Sequence, residues 1–310
     1  MKKYSHFPVM LSEAIDFLNI KEGELYFDGT LGGGSYSQKI LEKIGKSGLL
    51  LSVDLDPWAI DNFALKKFKN IVVVNDNFSN LENIVLENKI ISEFCKKKNY
   101  KKGEALFSGM VLDLGLSSAQ LDDSDRGFSF HKPGPLDMSF GPNISETTYY
   151  IVNSYSQRDL EDIIKNYGEE SWARKIAQAI VLERKKKKIE KSEQLAEIIA
   201  QAIPRKFWSR KIHPATKTFQ ALRIETNDEL NNLKKFLPVA IKYLKPGGRL
   251  VIVSFHSLED RIVKNFFKEL GPKKEGIIKI LTPKPLVPQA KEIEENFRSR
   301  SAKLRAIEKL

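Results

Sequence analysis

Several short segments of this chain carry side chains suited to holding a nucleoside beside a reacting amine. Asp28-Gly29-Thr30-Leu31-Gly32-Gly33-Gly34-Ser35-Tyr36 is a glycine-rich turn that passes straight into a helical stretch. Glycines let the backbone run close to a ligand, and a following helix offers its free amides to negative charge. In Asp54-Leu55-Asp56-Pro57 a carboxylate stands where it can accept both hydroxyls of a ribose. Asp56 suits the N-cap of a helix beginning at Pro57, which leaves Asp54 for the ribose. Asn75-Asp76-Asn77-Phe78 could set an aromatic ring against adenine, although Phe78 fits ordinary core packing equally well. Asp113-Leu114-Gly115-Leu116-Ser117-Ser118-Ala119-Gln120 joins an acid to a small-residue loop, a place to grip a substrate amine beside a methyl donor. His256, in Ser254-Phe255-His256-Ser257, is either structural or substrate-facing.

These segments follow apolar runs that read as strands: Leu25 to Phe27, Leu49 to Val53, Ile71 to Val74, Met110 to Leu112 and Leu250 to Phe255. Runs without polar alternation imply burial on both faces, as in a parallel sheet covered by helices. Tyr36 to Ile44, Pro57 to Phe68 and Leu81 to Phe94 supply the early crossover helices, and Ser257 caps a helix running to Leu270. Lys245-Pro246-Gly247-Gly248 reads as a turn before the fifth strand, and Ile277 to Leu281 and Ala302 to Ile307 are weaker strands. Between residues 122 and 212 the strands stop. Leu160 to Tyr167, Trp172 to Lys187 and Glu193 to Ile203 have helical spacing instead. The expected fold is an α/β, Rossmann-like sheet of the class I methyltransferase kind, discontinuous over residues 1–121 and 213–310, with a helical insertion at 122–212.

The 310 residues carry 51 Lys and Arg against 40 Asp and Glu, a net charge of +11 that makes a polyanion a plausible partner. Runs such as Lys185 to Lys188 also suit solvated helix faces. A single cysteine, Cys95, forbids an internal disulfide and suits a reducing compartment, so the expected location is cytoplasmic. No segment approaches the length of about 20 apolar residues that spans a membrane. His6, His131, His213 and His256 lack paired spacing, and no metal is expected. A dinucleotide fingerprint counted from Gly32 would require glycine where Ser37 stands, which argues against a nicotinamide-dependent dehydrogenase. Methylation of a pyrimidine carbon generally begins with a thiolate, and the loop after Asp113 has no cysteine. Transfer to an exocyclic amine needs only positioning and a hydrogen-bond acceptor. The remaining rivals are a non-catalytic RNA-binding protein and a methyltransferase acting on another RNA or on a protein or small-molecule amine.

Taken together, the chain resembles the ribosomal RNA small-subunit methyltransferase H family. The resemblance rests on His6 to Glu13, the glycine turn, Leu112 to Asp122, Arg126-Gly127-Phe128-Ser129-Phe130, Gly134-Pro135-Leu136-Asp137-Met138, His213-Pro214-Ala215-Thr216, Phe219 to Ile224, Ser254 to Arg261 and Arg298 to Arg305. It implies S-adenosyl-L-methionine as cofactor and the N4 amine of a decoding-region cytidine as acceptor. The partner it implies is small-subunit ribosomal RNA or the small ribosomal subunit, and a homodimer is left open. Cofactor contacts carry over onto Gly34, Ser35, Tyr36, Asp54, Phe78, Asp113 and Gln120, with Asp113 and His256 as the catalytic candidates. Many members read Gly-Gly-His where this chain has Gly34-Ser35-Tyr36, and Arg where it has Ser139. The helical insertion is implied to help hold RNA. Here it contains Arg205, Lys206, Arg210 and Lys211 beside Phe207 and Trp208, which either stack on bases or close the lobe's own core.

Overall fold

The computed structural model describes residues 8–62, 68–100, 105–130, 133–142, 144–209 and 211–310. His6, His131, Arg210 and part of the Pro57 to Phe68 helix lie outside them. Seven strands form one sheet: β1 (Leu25–Asp28), β2 (Leu49–Asp54), β3 (Ile71–Asn75), β4 (Phe107–Asp113), β5 (Leu244–Ser254), β6 (Ile278–Ile280) and β7 (Lys303–Lys309). Their order is β3-β2-β1-β4-β5-β7-β6. The pairs β3–β2, β2–β1, β1–β4 and β4–β5 are parallel, whereas β7 runs antiparallel to both β5 and β6. The order reverses between β1 and β4, so their carboxyl ends flank the crevice in which such sheets bind ligands.

Alternation along the strands decides what each face buries. Leu25, Phe27, Leu51, Val53, Met110, Leu112, Leu250 and Ile252 join one core, whereas Tyr26, Leu50, Val111, Val251 and Val253 join another. Period-two side chains from one buried strand therefore feed two separate apolar layers. The first layer is closed by α4 (Leu81–Glu87), α5 (Lys89–Lys97), α12 (Glu229–Tyr243) and α13 (Ser257–Leu270), the second by α1 (Leu11–Leu18) and α2 (Ser35–Ile44). A single helix from Leu81 to Phe94 is not what forms. Asn88 ends α4 and its side chain accepts the Ile90 and Ile91 amides that open α5, a cap competing with helix continuation. The Lys245 to Gly248 turn is absorbed into β5 as an irregularity, where the register with β4 jumps from Phe107–Leu244 to Gly109–Arg249.

The chain divides into two compact units, residues 1–115 with 230–310, and residues 116–229. The second begins with α6 (Ser118–Asp122) and contains α7 (Thr148–Ser154), α8 (Gln157–Gly168), α9 (Ala173–Lys186), α10 (Ser192–Ala202) and α11 (Thr216–Asn227). A sheet domain resuming at 213 does not describe this division. The apolar face of α11, Phe219, Ala221 and Leu222, shares a core with Leu160, Ile163 and Ile164 of α8, so α11 belongs to the helical unit. Within that unit Gly127 and Gly134 bring two loop segments into backbone contact. A Cβ on Gly127, whose φ is +70°, would lie 1.9 Å from the Pro135 carbonyl oxygen.

Candidate functional site

The turn after β1 is built around Asp28, which is fully buried. Its Oδ2 accepts the Ser37 hydroxyl at 2.6 Å and its Oδ1 accepts the Thr30 amide at 3.1 Å. Ser37 Oγ also lies 2.8 Å from Ser52 Oγ on β2. The residue standing where a dinucleotide fold needs glycine is thus used to fasten the first turn of α2 to two strands. Gly32 and Gly34 both adopt left-handed φ, +47° and +79°. A Cβ on Gly32 would meet nothing nearer than 3.9 Å, so the loop has open space at that point. The Gly32 amide donates to Asp54 Oδ2 at 2.7 Å and the Asp56 amide to Asp54 Oδ1 at 2.9 Å. Asp54 therefore locks the glycine loop to the tip of β2, and each of its oxygens has a second lone pair beyond the one engaged here. Asp56 caps the helix starting at Pro57, its side chain accepting the Trp58 amide.

Tyr36 does not face the crevice. Its ring is buried and its hydroxyl donates to the Val9 carbonyl, so only its backbone is available to a ligand. Ser35 opens α2 and is partly exposed. Phe78, just past β3, is partly buried and meets Phe236 edge to face at 5.5 Å. It packs on the core through that contact and keeps part of its surface exposed.

Among the described residues, three buried side-chain polar atoms lack a hydrogen-bond partner: Asp113 Oδ1, His256 Nε2 and Thr218 Oγ1. Two of them sit at the ends of the neighbouring strands β4 and β5, whose last paired residues are Asp113 and Val253. A buried polar atom left unpaired costs about 1–3 kcal/mol, so each such atom is a place where a ligand or a water molecule would be stabilised. The Asp113 amide donates to Thr30 Oγ1 at 2.7 Å, tying the β4 tip to the glycine loop. His256 is the N-cap of α13, and its Nδ1 accepts the Glu259 amide at 3.4 Å. That leaves the proton of the neutral ring on Nε2. Glu259 Oε1 is 3.1 Å from Nε2 but off the line a hydrogen bond needs, and Glu259 Oε2 accepts the Phe255 and His256 amides. Asp260, one residue on, pairs with Arg305 of β7 at 2.6 Å, the pair being almost fully buried, and with Lys303 at 3.3 Å. Arg305→Met should cost about 1–3 kcal/mol in urea unfolding, with Lys303 retaining part of the pairing. A midpoint equal to that of the parent protein would show that this pair does not brace α13.

Burial of so many carboxyl groups raises their proton affinity. Asp28 and Asp54 are each pushed up to about 6, chiefly by desolvation. Asp113 is driven well above the usual carboxylate range by desolvation, with Asp28, Glu259 and Glu292 near enough to oppose its charge. For Asp28 the folded state binds its proton more tightly than the unfolded chain. The stability linked to it is therefore full below about pH 4 and is lost as pH rises through about 6. Asp28→Asn keeps an acceptor oxygen but cannot ionise. Its stability relative to the parent protein should rise by up to about 3 kcal/mol between about pH 4 and about pH 7. Parallel pH curves for the two proteins would contradict a buried, ionised Asp28.

Gln120 belongs to the helical unit, where its Oε1 accepts the Ser117 amide in a reciprocal cap of α6. Trp208 and Phe207 differ in burial, although Phe207 also meets the Trp172 ring at 5.1 Å. Trp208 packs against the core of the helical unit and donates its Nε1 hydrogen to the Ile203 carbonyl at 2.9 Å. Phe207 is 55% exposed, with the Lys206 ammonium 5.1 Å from its ring centre. Asp28, Thr30 and Glu259 fall inside the motifs that the sequence marks, but the sequence assigns them no roles of their own. Asp28 directly precedes the glycine turn, and that adjacency is the signal that could have marked it.

A parallel sheet of this order with an antiparallel β7, a glycine turn after β1 and acids at the tips of β2 and β4 defines a class I methyltransferase. Residues 3–310 match the model of the MraW methylase family, and the chain belongs to that family. It is 44% identical over 320 residues to a ribosomal RNA small subunit methyltransferase H of Halothermothrix orenii, covering 98% of each chain. It is likewise 44% identical to a protein of that name from Clostridium botulinum strain Kyoto, covering 99% of this chain and 100% of the other. An rRNA methylase structure from Streptococcus thermophilus aligns with a TM-score of 0.45 at 11% identity, covering 100% of this chain and 99% of that one. No helix among the described residues is long and apolar enough to cross a membrane.

Proposed function

We propose that this enzyme methylates the exocyclic N4 amine of a cytidine in the decoding region of small-subunit ribosomal RNA, in the cytoplasm, with S-adenosyl-L-methionine as donor. The observation that carries the reading is the pair of unsatisfied buried atoms, Asp113 Oδ1 and His256 Nε2, at adjoining strand tips. One is an acceptor and the other, in its neutral ring, a donor. Cytosine offers the complement, an amine that donates and a ring nitrogen that accepts, whereas uracil reverses both. The names borne by the relatives support ribosomal RNA as substrate, and the surplus of 51 basic over 40 acidic residues suits a phosphate backbone.

The residues around the crevice fit the donor. The open face of Gly32, the backbone at the start of α2 around Gly34 and Ser35, and the Asp54 carboxylate would hold its amino-acid and ribose portions, with Phe78 against the adenine. When bound, S-adenosyl-L-methionine supplies an electrophilic methyl group on a positively charged sulfur. Asp113 Oδ1 accepts a hydrogen bond from the target amine and aligns its lone pair for in-line attack. Its high proton affinity then suits it to take up the proton that the methylated nitrogen releases. His256 Nε2 holds the pyrimidine edge. In the helical unit, the exposed Phe207 and Lys206 would assist in binding RNA. Mass spectrometric mapping of nucleosides in small-subunit RNA from cells with and without the gene tests the reading. Loss of N4-methylcytidine at one decoding-region position is expected, and an unchanged signal would refute it.

A further inference from the structure

Beside the crevice, within the sheet unit, lies a surface turn that the proposed reaction does not use. α14 (Ala290–Glu295) leads into a 3₁₀ turn, Phe297–Ser301, before β7. Phe297 is 63% exposed. The Arg300 guanidinium lies 4.2 Å from its ring centre and donates to the Phe297 carbonyl at 3.1 Å, which fixes the ring. The turn is itself braced. Ser299 is fully buried with its hydroxyl on the Asn296 carbonyl at 2.8 Å, and the Asn296 side chain accepts the Arg298 amide at 3.2 Å. An aromatic held rigidly in water beside two exposed arginines gives nothing to the core, and it is the composition of a single-strand nucleic-acid contact.

The position of this turn relates it to the site. Ala302 shares the apolar layer of Val9, Met10, Tyr36 and Val253. Glu292 of α14 accepts the Met10 amide at 2.7 Å and is near enough to Asp113 to oppose its charge. Tyr36, the residue after Ser35, donates its hydroxyl to Val9. The turn is therefore mounted on the framework that carries the glycine loop. Exposed Glu294 and Glu295 precede it and would repel a phosphate backbone straying onto α14.

We propose that Phe297 and Arg300 form a stacking and phosphate contact for a nucleotide flanking the target base, so that the sheet unit grips single-stranded RNA itself. This rests on RNA being the substrate, as argued above. The test uses the full chain and a short fluorescent single-stranded RNA containing a cytidine, with anisotropy read at several salt concentrations. Phe297→Ala should weaken binding by about fivefold to a hundredfold, with Phe297→Tyr restoring it. Arg300→Ala should lower the salt slope by about one. In methylation assays the loss should appear in KM for RNA with kcat nearly unchanged, and calorimetric titration with S-adenosyl-L-methionine should match the parent protein. RNA affinity and KM equal to the parent in both variants would overturn the proposal while leaving the methylation reading intact. RNA binding that depends on Phe297 in a protein that modifies no cytidine would do the reverse. An intact protein that binds no single-stranded RNA would defeat both.

Discussion

Replacing Asp113 by Asn should slow methyl transfer to RNA by about 10²- to 10⁴-fold, the range associated with loss of a positioned proton acceptor. Asparagine preserves the shape of the side chain, and the Asp113 amide keeps its bond to Thr30 Oγ1, so the turn that holds the donor should stay in place. The change falls on Oδ1, the buried oxygen without a partner. Calorimetry should accordingly find S-adenosyl-L-methionine still bound while single-turnover methylation collapses. The pH profile adds a sign. As the acceptor, Asp113 must be ionised, and burial holds its carboxyl well above the ordinary range. The parent protein should lose rate on acidification at a pH higher than an ordinary carboxylate would dictate, and Asp113→Asn should abolish that limb along with most of the rate. A variant with near-normal turnover would remove Asp113 from the chemistry.

A second large effect is expected far from any titrating group. Gly127→Val would place Cβ 1.9 Å from the Pro135 carbonyl oxygen and 3.1 Å from the Asp137 amide nitrogen. The left-handed backbone alone costs a side chain about 1–2 kcal/mol. Forcing the two loops apart adds about 1–3 kcal/mol, so about 2–5 kcal/mol in all is expected. The disturbance should spread along bonds that depend on this approach: Met138 N to the Arg126 carbonyl at 3.0 Å, and the Arg126 guanidinium to the Ser139 carbonyl at 3.0 Å. Hydrogen exchange should show protection lost over residues 116–229, with the strands of the sheet unit still protected and S-adenosyl-L-methionine still bound. Unaltered exchange in that segment would mean that the glycine is replaceable.

What could be read from the residues alone follows a simple division. Strands β1 to β5 and the glycine turn are legible because continuous apolar runs ending in a polar residue, Asp28, Asp54, Asn75, Asp113 or Ser254, are local signals. The break at Asn88 was not, since Leu81, Ile84, Val85 and Ile91 keep an apolar face through it and only the cap's geometry shows the helix stopping. α11 is not among the helices that spacing marks, and its attachment to the helical unit depends on contacts with α8, which no spacing encodes. At the site, Asp113 and His256 were singled out from their places beyond strands. That their side chains hold unsatisfied atoms emerges only from three-dimensional burial. Asp28 and Thr30 stand in the quoted motif without roles of their own, because the bonds that reveal them, Asp28 Oδ2 to the Ser37 hydroxyl and Thr30 Oγ1 to the Asp113 amide, form only in the folded chain.

The bond from the Asp113 amide to Thr30 Oγ1 joins the glycine loop to the tip of β4. If these segments hold the donor and the target amine as proposed, a disturbance entering at either one is felt at the other. Thr30→Val, which touches neither ligand directly, should make affinity for one ligand less sensitive to the presence of the other. The order in which the two ligands bind would be written, in part, in a single hydroxyl.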